Sequence, residues 1–207
     1  MAPRGPGRAA LIWSALLLAM AAPIVAAAMS PLLQWRDEIY IAAGLAGVLA
    51  LALMLLQPLL IGGRLPGLSI HRSRRLHRWV GGMLVVCVVL HVAGLWLTSP
   101  PDVIDALLFR APTAFSAWGV IAMWALFAAA ALAALRKRLG VRPRVWRMGH
   151  TLLALAIVAG TVVHALLIEG AMETVTKVGL SVLVLLATAK IVLERRVWRR
   201  LARARQA

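Results

Sequence analysis

Residues 77–91 read HRWVGGMLVVCVVLH, and residues 150–164 read HTLLALAIVAGTVVH. Each is an apolar run closed by histidines fourteen positions apart. On an α-helix that interval turns about 1400°, roughly 40° short of four full turns, so both histidines share a face. It also advances about 21 Å, most of a hydrocarbon core of about 30 Å. Two such helices side by side pair His77 with His150 and His91 with His164. The expectation is two facing-histidine sites, one toward each membrane surface.

Composition sets the class. Of 207 residues, 62% are hydrophobic and only seven are acidic. Mean hydropathy is +0.88, far above what a soluble domain needs, and several runs reach the ~20 residues that span a bilayer. The fold class is all-α: a polytopic membrane protein with six transmembrane helices. The expected spans are 9–29, 39–61, 76–97, 113–135, 148–168 and 175–193, in one domain covering 1–207 with a basic tail at 194–207. The first span has a basic start and small residues at Ala26–Ala28, as a signal peptide does; its length favours a retained helix. A short interfacial helix is expected at 103–109.

Charge gives the orientation. The N-terminus, residues 62–78, residues 136–147 and the tail, with Lys190 counted to it, hold 20 of the 23 Lys and Arg, while six of the seven acids lie on the other side. By the positive-inside rule both termini are cytoplasmic. His77 and His150 then lie toward the cytoplasm. Trp35, Trp96 and Trp118 mark the outer interface, and Trp79, Trp146 and Trp198 the inner one; Trp13 and Trp124 read as packing residues. The basic residues sit in alternate loops and no phosphate-binding glycine motif is present, so nucleic acid is not an expected partner. Membrane lipid is.

Ionisable side chains inside spans usually face the bundle interior. Two imidazoles at each level are too few for a bare zinc or copper ion, which takes three or four ligands. Cys87, the lone cysteine, lies about 80° off the histidine face and reads as a small buried apolar residue. Haem resolves the shortage, because its macrocycle brings four nitrogens and needs only two axial imidazoles. Two haems are expected between the third and fifth spans, with single occupancy as the alternative. Arg74, Arg75, Arg78 and Arg147 lie within reach of His77 or His150 as propionate contacts or as positive-inside charge. Gly81, Gly82, Gly94, Gly149 and Gly160 read either as macrocycle clearance or as helix packing. His71 reads as a solvated or lipid-facing residue.

The segments RRLHRWVGGMLVVCVVLH and WRMGHTLLALAIVAGTVVH, on the third and fifth of six helices, resemble the ferric reductase-like transmembrane domain. That superfamily includes ferric reductases, NADPH oxidases and the bacterial haem-binding membrane subunit (MsrQ, formerly YedZ) of methionine sulfoxide reductase systems. The resemblance implies haem at His77, His91, His150 and His164, and electron transfer across a bacterial inner membrane. Ferric reductases and NADPH oxidases carry a flavin and nicotinamide domain after the sixth helix, and no such site is expected within this chain. The donor is then a separate cytoplasmic flavoprotein or a quinol. The acceptor is ferric iron or a periplasmic redox partner such as a methionine sulfoxide reductase. A quinol-linked dihaem cytochrome b is the alternative, with Ser73, Thr151 and Glu169 as weak quinone contacts. A cofactor-free transporter or assembly subunit is the alternative of another class.

Overall fold

The computed structural model describes residues 6–63, 65–170 and 172–204, with the backbone alone for 195–204. The readings on Arg4, the Trp198 side chain and residues 205–207 lie outside the described residues. The described chain is helical: α1 Pro6–Ala28, α2 Glu38–Ile61, α3 Ile70–Thr98, α4 Pro100–Leu107, α5 Ala114–Leu135, α6 Pro143–Leu167 and α7 Thr174–Ala204, with a 3-10 turn at Pro31–Leu33. Six of the helices are long and apolar enough to cross a membrane, and α4 is the short one between spans. The two histidine helices are therefore α3 and α6.

Local signals explain where the helices begin. Asp37 caps α2, its Oδ1 accepting from the N–H groups of Ile39 at 2.7 Å and Tyr40 at 3.3 Å, as an N-cap carboxylate should. Ser69 caps α3 through Arg72 N–H at 3.4 Å, so α3 starts six residues before the expected 76. Pro143 opens α6 at its first position, where a missing N–H costs nothing, so α6 starts five residues before 148. Part of each basic segment is thus helical, residues 70–78 at the start of α3 and 143–147 at the start of α6. The tail likewise continues α7 to Ala204 rather than stopping at 193, since arginine is a good helix former.

Two helical hairpins make up most of the packing, α2 with α3 and α5 with α6. Glycines set how close each pair comes. A Cβ on Gly94 would lie 2.7 Å from Ala43 Cβ, and one on Gly160 would lie 2.9 Å from the Trp118 carbonyl oxygen and 3.0 Å from Ala122 Cβ. Only a residue without Cβ allows such approaches. Among the described residues, α3 and α6 make no extended backbone contact with each other. Instead α1 and α7 close one side, and on the other α3 meets α5 both directly and through α4.

Two apolar clusters hold the hairpins in place. One joins Leu16 of α1, Leu51 and Leu55 of α2, Val158 and Val162 of α6, and Leu180 and Val184 of α7. Trp13 of α1 packs against it and donates from Nε1 to the Pro66 carbonyl at 3.2 Å. The other cluster sits at mid-membrane and contains Ala50, Leu84, Cys87 and Leu126, with Ile157 against it. Leu84 and Ile157 are seven residues from both histidines of their helices, so they share the histidine face between the two levels. Leu17, Leu18, Leu90, Leu152 and Leu186 are exposed and form the lipid-facing surface. Trp124 joins them at 57% exposure, edge-on to Phe127; it faces outward, contrary to the packing role expected of it.

Candidate functional site

The four histidines form two pairs. The His77 and His150 rings stand 6.3 Å apart between centroids, and the His91 and His164 rings 6.4 Å. The planes cross steeply in both pairs, at 73° and 80°. The first pair lies at the end where the basic residues gather, and the second at the end that holds Asp37, Asp102 and Glu173. They are called here the basic-end and acid-end sites.

Each hairpin aims its own histidines. His91 Nδ1 donates to the Ala43 carbonyl at 2.8 Å, and His77 Nδ1 to the Gln57 carbonyl at 3.3 Å. The two acceptors on α2 are also fourteen residues apart, so the ladder of histidines on α3 meets a ladder of carbonyls of the same pitch. Gln57 adds a second link from Nε2 to the His77 carbonyl at 3.4 Å. In the other hairpin His164 Nδ1 donates to the Phe115 carbonyl at 2.8 Å. A carbonyl only accepts, so the proton on these three rings is fixed at Nδ1 and Nε2 keeps its lone pair. A neutral imidazole held in this way is oriented as a metal ligand.

Two glycines make room for the acid-end rings. A Cβ on Gly47 would sit 3.0 Å from His91 Nδ1, and one on Gly119 2.7 Å from His164 Nδ1. Each glycine stands four residues after the acceptor carbonyl on its helix, Ala43 or Phe115. At the basic end His150 is held differently. The Trp146 indole stacks on it with centroids 5.4 Å apart and planes 12° from parallel. The Arg136 guanidinium lies over the indole, 4.7 Å from its centroid.

All four expected histidines are thus brought together in the expected pairs. Cys87 is buried in the mid-membrane cluster, and His71 is exposed. Gly94 and Gly160 serve packing within a hairpin, not clearance between hairpins. Arg74 and Arg147 each precede a histidine by three residues, about 60° around the helix from it. Arg78 is about 100° away and Arg75 about 160°; Arg75, Arg78 and Trp79 line a cavity of about 440 Å³. Among the weak quinone contacts, Ser73 is wholly buried, the Thr151 hydroxyl bonds back to the Arg147 carbonyl at 2.8 Å, and Glu169 is exposed. Among the described residues no three His, Cys, Asp or Glu side chains converge on one point.

Sequence reasoning missed Gly47, Gly119, Gln57 and the carbonyls of Ala43 and Phe115. The carbonyls carry no residue signal. The glycines do: each follows its acceptor by one helical turn within an apolar run.

A family described as "Ferric reductase like transmembrane component" matches residues 43–161. The match takes in His77, His91, His150, Ala43, Gly47 and Gly119, and ends three residues before His164. Comparison with curated proteins and with solved structures gives no significant match. More than half of the chain lies within that match, so the chain belongs to the ferric reductase-like transmembrane family and is a membrane protein of redox electron transfer.

Proposed function

We propose that this protein binds two b-type haems, one between His77 and His150 and one between His91 and His164, and conducts electrons across the membrane. The observation that carries the reading is the spacing of the facing rings, 6.3 and 6.4 Å. A metal-bound imidazole nitrogen sits about 2 Å from its ion, so two imidazoles on opposite sides of one ion hold their ring centres about 6 Å apart. Nδ1 donation by His77, His91 and His164 supports the same reading, because it leaves Nε2 to face the partner ring. Two protein ligands per level suit a macrocycle that supplies the other four. When bound, haem supplies an iron that accepts and releases one electron. The chain supplies ligands, apolar burial and charge, and both axial positions filled by histidine suit electron transfer.

In this reading residues 1–207 form one electron-conducting domain in a bacterial cell membrane. The basic end is cytoplasmic, on the strength of 20 of the 23 Lys and Arg. Reducing equivalents come from a separate cytoplasmic flavoprotein or quinol and leave to ferric iron or a periplasmic redox protein. The exposed Arg74, Arg78 and Arg147 are the residues at the basic end for acidic groups of haem or donor.

The test is the spectrum of the purified protein, oxidised in air and reduced with dithionite, with a haem-to-protein ratio. Two b-type haems per chain are expected. His77→Ala and His150→Ala should each remove the same haem, and His91→Ala and His164→Ala the other. A colourless protein after haem supplementation would overturn the reading.

A further inference from the structure

We infer that Trp146, capped by Arg136, is a binding and positioning residue of the basic-end site and gives that site an electron affinity of its own. This rests on the haem reading above. Both groups meet the same indole: the guanidinium lies over it at 4.7 Å, and the imidazole stacks on it at 5.4 Å and 12°. The indole covers one side of the His150 ring and so limits its rotation.

The turn after α5 brings Arg136 to this place. Gly140 adopts φ +59, with Val141 N–H bonded to the Arg136 carbonyl at 3.1 Å and Gly140 N–H to the Lys137 carbonyl at 3.4 Å. This is the pairing of a Schellman cap, in which glycine takes the left-handed position. It reverses the chain within a few residues, so that Arg136 at the end of α5 lies over Trp146 in the first turns of α6. Arg136, Lys137, Gly140, Pro143 and Trp146 line an open surface depression of about 280 Å³ at this end.

A second observation points to a ligand. Trp146 Nε1 is buried and makes no hydrogen bond among the described residues. A buried N–H without an acceptor is costly and uncommon. A carboxylate on the group held between His77 and His150 is an acceptor of the right chemistry. Among the described residues the acid-end site has no counterpart. There His164 meets the Phe115 ring edge-on, at 5.8 Å and 69°, and the glycines Gly47 and Gly119 stand against the imidazoles.

Electrostatics gives the sign. A guanidinium near a redox centre favours the reduced form, which carries one positive charge fewer. An N–H bonded to a carboxylate of that group offsets its negative charge in the same sense. Both contributions raise the potential of the basic-end site.

The test is a redox titration of the haem-loaded full chain. His77→Ala identifies the basic-end wave by removing it. Arg136→Gln and Trp146→Phe, which keeps a stacking ring but loses the N–H, leave His77 and His150 in place, so the basic-end wave stays readable in each even where its occupancy falls. Each should move only the basic-end wave to more negative potential, and Arg136→Lys, which keeps the charge, should stay close to the wild-type potential. If neither variant moves that wave, or both waves move together, the inference is overturned. The stack has its own readout in haem-free protein. Ring-proton resonances of His150 should be shifted upfield by the indole face and return to ordinary positions in Trp146→Leu. Unchanged resonances would overturn the stack even if the wild type bound two haems, whereas a wild type without haem overturns the earlier reading and leaves this spectrum to judge the stack.

Discussion

His164 Nδ1 lies 2.8 Å from the carbonyl oxygen of Phe115, and the indole of Trp146, eighteen residues earlier on the same helix, lies flat against His150. Two histidines of one helix are therefore fixed by different means. The acid-end ring is held by the backbone of its hairpin partner. The basic-end ring is held against an aromatic face. The two sites can be perturbed separately.

The glycine cradles give the sharpest separation. Gly119→Ala would place a methyl group 2.7 Å from His164 Nδ1 and 2.9 Å from its Cε1, against 3.0 and 3.2 Å for Gly47→Ala at His91. Overpacking of this kind costs about 1–3 kcal/mol. On the proposed reading, haem content should fall toward one per chain in Gly119→Ala and less far in Gly47→Ala. Difference spectra should show that the acid-end haem is the one lost.

Helix geometry ranks the arginines. Arg74 and Arg147 occupy equivalent places, three residues before His77 and His150, while Arg75 lies about 160° around α3 from His77. Arg74→Gln and Arg147→Gln should each shift the basic-end potential to more negative values. Arg75→Gln should leave both potentials in place. A redox titration reads all three, and an equal shift from Arg75→Gln would show that general surface charge is responsible.

Lys177 ties α7 to the end of the acid-end histidine helix. It is 7% exposed, and Nζ donates at 2.9 Å to the carbonyl of Ile168, four residues after His164. Lys177→Met leaves that carbonyl without its donor, at a cost of about 1–3 kcal/mol. The melting temperature in detergent should fall, and Lys177→Arg should recover part of the loss.

Glu173 gives α7 a pH-dependent start. Hydrogen bonds from the backbone N–H groups of Thr176 and Val175 hold its carboxyl below the usual glutamate range. The depressed value means that this stabilisation is fully present above the ordinary glutamate pKa. It is lost as pH falls through the lower, folded value. The stability difference between wild type and Glu173→Gln should therefore be constant near neutrality and shrink in acid. Melting temperatures at stepped pH measure it, and a difference that does not change with pH would remove the role.

The sequence carried the histidine pairing because a fourteen-residue interval is periodic on a helix and both ends of it are chemically distinctive. It carried the six spans for the same reason: apolar runs of span length have few other uses. The helix starts came out late because arginines at Arg72, Arg74 and Arg144 look like loop in a hydropathy profile, although they sit well on helical turns. Gly94 and Gly160 were ambiguous because a small residue serves close helix contact and ligand clearance equally, and only the positions of Ala43 and Ala122 decide between them. The acceptors at Ala43, Gln57 and Phe115 are backbone atoms, which have no residue identity to read.

The division into two hairpins bears on how the protein is made. One hairpin owns His77 and His91, the other His150 and His164, and neither owns a complete site. During synthesis the first hairpin can leave the insertion machinery with both imidazoles already turned by Gln57 and Ala43. On the proposed reading cofactor capture then waits for the second hairpin. Each bound macrocycle acts as a rivet at one end of a seam whose middle is held by the two apolar clusters. Maturation would in this way report cofactor supply, with unriveted halves left open to membrane proteases.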